Sequence, residues 1–172
     1  MTLRNDGTDI NLYTAVYNYC MSLKLDVSDP QSSIRSAHTL PDTHLMGSSL
    51  YSHLIEYFTA HLKGMCDAAD SLQDEALLRY YANEWDRYTT GAHRINRVFM
   101  YLNRYWVKRE REDRRKDVYT VDTLALVQWK RNFLLHIQNK NQKLANALLC
   151  LIENQRNGET IDVGLVKKVV DS

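Results

Sequence analysis

The sequence predicts an all-α fold, a helical bundle, on three observations. Only 6 Gly and 2 Pro occur in 172 residues, too few breakers for the frequent turns of a β-sandwich. Both prolines, Pro30 and Pro41, fall in one polar stretch at residues 26–46. Outside it, apolar residues recur at the three- and four-residue spacing of amphipathic helices. With 44% hydrophobic and 25% charged residues, the chain suits one globular domain whose core needs neither disulfide nor metal.

Helices are predicted at about 9–25, 47–66, 72–88, 90–113, 119–138 and 141–156, with a last one from about 161 to the end. In the first, Leu12, Val16, Tyr19 and Leu23 form a stripe expected to face the core, and Ile10, Tyr13, Tyr17 and Met21 lie roughly opposite. Residues 26–46, rich in Ser, Thr and Asp, read as a long loop. Ser71-Leu72-Gln73-Asp74 has the spacing of a capping box before an apolar run. In the fourth helix Ile95, Val98, Phe99, Leu102 and Trp106 make the core face, and half a turn away lie Arg97, Tyr101, Arg104 and Lys108. Trp85, Trp106 and Trp129 fall on apolar stripes and are expected in the core. Asn157-Gly158, after Leu148, Leu151 and Ile152, is a helix stop. The stripe of Leu165, Val166, Val169 and Val170 runs almost to Ser172 without an evident cap, which suggests a larger parent chain. No internal repeat is visible at 20 to 50 residues.

Composition and motifs exclude several functions. Lys+Arg at 22 against Asp+Glu at 21 leaves a formal charge of +1, so no global attraction to nucleic acid or anionic membrane is built in. Cys20, Cys66 and Cys150 are far apart and odd in number, which reads as reduced, buried thiols. With no signal peptide, membrane-length apolar run or Asn-x-Ser/Thr acceptor, the chain is expected to be soluble and cytoplasmic or nuclear. The phosphate-binding, zinc-protease and nucleophile-elbow motifs are missing, so no cofactor or catalytic residue is expected. His53, Glu56 and His61 share part of a helix surface but lack the further carboxylates of a di-metal bundle, and no metal is expected there. From Arg104 to Lys116 seven basic residues interleave with Glu110, Glu112 and Asp113. That mixture usually makes a solvated, salt-bridged face. A nucleic-acid-binding helical domain using 97–116 is the alternative to a protein-binding one.

The unusual count is tyrosine, 11 against 3 Phe. Tyrosine has an apolar body and a polar tip, suited to half-buried interfaces. A helix that is apolar on both sides is either central in its fold or lends its outer side to a partner. If the second faces of the first and fourth helices adjoin, they form one Tyr/Met/Ile patch rimmed by arginines. Such a patch fits a protein-binding module.

Four segments together are specific: LYTAVYNYC (Leu12 to Cys20), YLNRYWVKRE (Tyr101 to Glu110), VYTVDTLALVQWKRNFL (Val118 to Leu134) and LIENQRNGETID (Leu151 to Asp162). In order and separation they resemble the N-terminal region of cullins, of the type that scaffolds Skp/cullin/F-box ubiquitin ligases. The resemblance implies stacked helical cullin repeats, with residues 1–160 as the first and 161–172 as the start of a second. It further implies a non-catalytic scaffold that binds a BTB/POZ-fold Skp-type adaptor through residues about 9–25 and 90–113, and an F-box receptor indirectly. Adaptor contacts carried over from the family are Ile10, Tyr13, Tyr17, Tyr101 and Arg104; Met21 and Arg97 are added from the face pattern. A RING subunit would bind only through a C-terminal half absent from this sequence, and a cullin-wrapping exchange factor is a further potential partner. No nucleic-acid or membrane partner is implied. Asp9 departs from the family, which carries an aromatic one turn before Tyr13.

Overall fold

The computed structural model describes residues 6–22, 42–140, 142–158, 160 and 162–172. Among them every regular element is a helix. These are α1 (Asp6–Ser22), α2 (Asp42–Asp70) and α3 (Asp74–Val98), followed by two composite helices. The first composite, α4, joins an α-turn (Met100–Leu102), a π-helical stretch (Asn103–Val107) and an α-helical end (Lys108–Glu112). The second, α5, joins Val121–Gln128, a π-helical Trp129–Leu134 and Leu135–Asn139. The chain ends with α6 (Lys143–Arg156) and α7 (Val163–Val170). The all-α expectation holds, and no helix among the described residues is long and apolar enough to cross a membrane.

Several boundaries differ from the sequence pattern for local reasons. The expected break near residue 89 is not made: the helix runs on to Val98, and the Thr89 hydroxyl turns back to donate to the Trp85 carbonyl at 2.8 Å. The chain breaks instead at Phe99, whose φ of −92° and ψ of 18° leave the helical region. No capping box forms at Ser71, whose hydroxyl donates back to the Ala68 carbonyl at 2.9 Å. Helix α2 begins at Asp42, directly after Pro41 and inside the stretch expected as a loop; residues 26–41 of that stretch lie outside the described residues, as does Leu23. The Asn157-Gly158 stop forms as expected. Gly158 has φ 88° and donates its N–H to the Gln155 carbonyl at 3.1 Å. At the start of α7 the Asp162 carboxylate accepts from the Leu165 N–H at 3.0 Å.

The π-helical stretches follow from the spacing of the core residues. In α5 Trp129, Phe133 and Ile137 are all buried and stand four apart. A regular α-helix turns about 400° in four residues, so such a stripe drifts about 40° per step. A π-helical stretch has more residues per turn and absorbs the drift. In α4 the wider turn likewise buries Leu102, Trp106 and Val107 together.

The chain divides into two compact units, Met1–Ile55 with Ala92–Leu124 and Glu56–Gly91 with Ala125–Ser172. In the first, Tyr51 packs its ring 4.9 Å from Trp106. Its hydroxyl donates to the Tyr119 carbonyl at 3.1 Å and accepts from the Tyr119 N–H at 2.9 Å. Burial pushes this phenol above its ordinary pKa. Gly47 lies against the Trp106 indole, and a methyl group there would fall inside the van der Waals radius of the ring. Gly47→Ala is therefore expected to destabilise by about 2 kcal/mol or more. Gly64→Ala, in the same helix with nothing within 4 Å of an added methyl, is expected to stabilise by about 0.5 to 1 kcal/mol. Urea denaturation of the two variants measures both signs.

After α4 the chain turns through a Schellman motif. The Arg114 N–H reaches the Arg111 carbonyl and the Arg115 N–H the Glu110 carbonyl, each at 3.1 Å. Arg114 thereby takes the left-handed position, φ 62°, that glycine usually fills. A non-glycine residue there costs about 1 kcal/mol.

The second unit is built around Trp129. Its ring centroid lies 4.5 Å from Phe133, 5.0 Å from Tyr88, 5.2 Å from Trp85 and 5.5 Å from Tyr81. The indole N–H donates to the Tyr81 hydroxyl at 3.3 Å, and the Tyr88 hydroxyl donates to the Ala125 carbonyl at 2.8 Å. Trp129 and Trp106 are buried as expected, whereas Trp85 is half-buried at the edge of this cluster. His61 stacks between Tyr57 and Tyr88, 6.3 and 6.2 Å from their rings.

The expectation of three buried thiols fails at one. Cys20 and Cys66 are buried, but Cys150 is exposed. The inner face of α6 is Leu144, Ala147 and Leu151, and Cys150 precedes Leu151 by one residue, about 100° round the helix. Burial pushes the Cys66 thiol up to about 11, with the nearby Asp70 and Asp67 charges adding to it. Native protein at pH 8 is expected to react with a maleimide at one thiol of three, Cys150, and denatured protein at all three. Mass spectrometry of the labelled peptides checks this.

Candidate functional site

The two helices singled out by their second faces meet inside the first unit, where α1 packs on the opening turn of α4. Tyr17 stands edge-on to Tyr101 with ring centroids 5.0 Å apart. The Tyr101 hydroxyl donates to the Met21 sulfur at 3.2 Å. Burial, together with neighbouring Cys20, Tyr105, Tyr17 and Tyr13, raises the Tyr101 pKa above its ordinary value. The structure thus brings Tyr17, Met21 and Tyr101 into one cluster, with Tyr13 beside it.

The face assignment within α1 needs correction. Leu12 and Tyr19, expected to face the core, are exposed. The inner seam runs instead through Asp9, Tyr13, Val16 and Cys20, half-buried to buried, and Tyr17 and Met21 flank it. Asp9 opens this seam from a half-buried position. The physical reason is that apolar residues surround α1, so periodicity alone cannot choose a side. The contact with Tyr101 chooses it.

The remaining candidate residues stand apart. Ile10 is 63% exposed. Arg97, in the last turn of α3, and Arg104, in the π-helical stretch, are exposed as well. Together they offer an apolar side chain and two cations on the exposed surface of this unit.

Tyr105 belongs to this surface although the sequence pattern does not single it out. It is 62% exposed, with its ring 4.4 Å from Tyr101, and extends the cluster into a chain of three rings, Tyr17, Tyr101 and Tyr105. The available signal was its position four residues after Tyr101, where helical side chains are neighbours. Asn103 fixes the helix that carries these rings. Its amide donates to Asn96 Oδ1 at 2.7 Å and its carbonyl oxygen accepts from the Val121 N–H at 3.0 Å.

Among the described residues no group of three or more His, Cys, Asp or Glu side chains could hold a metal ion. Partly exposed aromatic rings on a surface that also carries arginines are the composition of a binding hot spot. Within the basic run, Lys108 pairs with Glu112 at 3.9 Å and Arg115 with Glu110 at 3.1 Å.

These features define an all-helical module with an aromatic contact surface. Residues 8–172 match the family model described as the cullin alpha solenoid domain. The chain is 37% identical over 168 residues to Cullin-1 of Dictyostelium discoideum, covering 94% of this chain and 20% of that protein. It is 32% identical over 167 residues to Cullin-1 of Caenorhabditis elegans, covering 94% and 21%. Cell division control protein 53 of Saccharomyces cerevisiae is 29% identical over 163 residues, covering 95% and 19%. The chain belongs to the cullin family, and it spans about a fifth of the length of these relatives.

Proposed function

We propose that this chain is an adaptor-binding scaffold segment of a Skp/cullin/F-box ubiquitin ligase. The observation that carries this reading is the joining of α1 and α4 through Tyr17, Met21 and Tyr101. That contact leaves Tyr17 and Tyr105 open at the surface. The partner is a BTB/POZ-fold Skp-type adaptor, which docks on the tyrosine chain, with Ile10 and Tyr13 adding apolar contact and Arg97 and Arg104 supplying positive charge. The adaptor in turn holds an F-box substrate receptor. The segment has no catalytic role of its own: helices packed around a large aromatic core supply a stiff support that sets the distance between bound components. In this reading residues 1–160 form the first cullin repeat and 161–172 open the second, and the assembly works in the cytoplasm and nucleus.

Biolayer interferometry against an immobilised, purified Skp-type adaptor tests the proposal. Saturable binding with a Kd of about 1 μM or tighter is expected for a specific interface of standard size. Absence of binding at about 50 μM by a correctly folded chain removes the reading.

A further inference from the structure

The corner between α4 and α5 holds a second site of different chemistry. A concavity of about 500 Å³ opens there, within the range of small-ligand pockets. Four cations line it, Arg111, Arg114, Arg115 and Lys116, and the hydroxyls of Thr120 and Thr123 lie along its wall. No carboxylate is among its lining residues, although the segment is rich in them. Glu110 is fully buried and holds Arg115 at 3.1 Å, and Glu112 lies 3.9 Å from Lys108. The Asp122 carboxylate accepts from the Thr120 hydroxyl at 2.6 Å and the Thr123 N–H at 2.9 Å. Among the described residues, Arg111, Arg114 and Lys116 form no ion pair.

The backbone supplies an independent observation. Arg114 occupies the left-handed position of the Schellman turn, where glycine would cost nothing. Strain of this kind persists where surrounding structure imposes it, and it clusters at binding sites. Here it falls on a residue that lines the concavity.

We propose that this corner binds a small, multiply charged phosphate compound. Guanidinium forks match the oxygens of a phosphoryl group and bond them in pairs, and the Thr123 hydroxyl, whose proton is not committed to Asp122, is suited to a remaining oxygen. An extended polyanion fits less well. The net charge of +1 gives it no long-range attraction, and Asp113 and Asp117 flank the corner in sequence. A compact anion contacts the lining alone.

Isothermal titration calorimetry of the full 172-residue chain with sodium tripolyphosphate, at about 50 mM salt, tests this. Saturable binding is expected, weakening steeply as salt is raised. Arg114→Gly is expected to weaken it at least about tenfold while the melting temperature stays equal or rises, because glycine relaxes the turn. Lys116→Gln, an exposed change that leaves the turn untouched, is expected to weaken binding in the same direction. Arg94→Gln, outside the concavity, should leave it within about twofold. No binding up to about 5 mM, or unchanged binding by the Arg114→Gly and Lys116→Gln double variant, overturns the proposal. So does a short DNA or RNA duplex that binds more tightly than tripolyphosphate and displaces it.

Discussion

A chain carrying Tyr17→Ala and Tyr105→Ala is expected to bind the Skp-type adaptor about three orders of magnitude more weakly than the wild type. Truncating a hot-spot tyrosine costs about 2 kcal/mol or more, roughly 30-fold, and two such losses approach 1,000-fold where they add. The rings stand on either side of Tyr101, 5.0 and 4.4 Å from it, and both residues are exposed. Removing them strips the surface while Tyr101 keeps its bond to Met21. The fold pays a smaller cost, because each aromatic pair contributes about 0.5 to 1.5 kcal/mol. Circular dichroism should therefore show unchanged helicity and melting lower by several degrees. Leu149→Ala, an exposed change in the second unit, serves as the control and should bind normally. A folded double variant that binds within threefold of the wild type would move the interface elsewhere.

Trp129→Ala is expected to remove about 3 to 5 kcal/mol of stability, a large share of the roughly 5 to 15 kcal/mol that holds a domain together. The indole is buried and in ring contact with Tyr81, Trp85, Tyr88 and Phe133. Four aromatic neighbours, three on α3 and one on α5 itself, cannot all move inward to fill so large a void. The Tyr81 hydroxyl loses the indole N–H as a donor, although it keeps Ser172 at 3.0 Å. Trp129→Phe, which keeps part of the ring volume, should lose less than the alanine variant. Urea denaturation followed by circular dichroism gives both values. A loss below about 1 kcal/mol for the alanine variant would mean that the cluster repacks, contrary to the geometry.

The residues explain why some elements can be read from the sequence and others cannot. In α5 the buried Trp129, Phe133 and Ile137 recur at a fixed spacing of four, so the helix is legible, although the apolar Leu134 and Leu135 beside Phe133 blur the edge of its inner face. The Asn157-Gly158 stop is legible because glycine alone accepts its φ without strain. In α1 the apolar side chains encircle the helix, and nothing local distinguishes inside from outside. Its orientation is decided by Tyr101, some 80 residues later in the chain. The pairing of the two second faces could be anticipated from composition. Which members of each row turn inward could not, and neither could the exposure of Tyr105, which depends on the wide turn between Asn103 and Val107. The break at Phe99 was also hidden, since Thr89 and Gly91 look like better breakers until the Thr89 hydroxyl is seen to bond within the helix.

Tyr51 ties the basic corner to distant sequence. Its one hydroxyl satisfies both backbone groups of Tyr119, 68 residues away, taking the part that a neighbouring strand would have in a sheet. A peptide copied from residues 108–124 would carry every charge of the concavity but not the tie that sets its wall. The corner is therefore a conformational epitope, completed only when α2 has closed a long loop onto it. Any molecule that recognises it reports on the folded chain as well as on its charge.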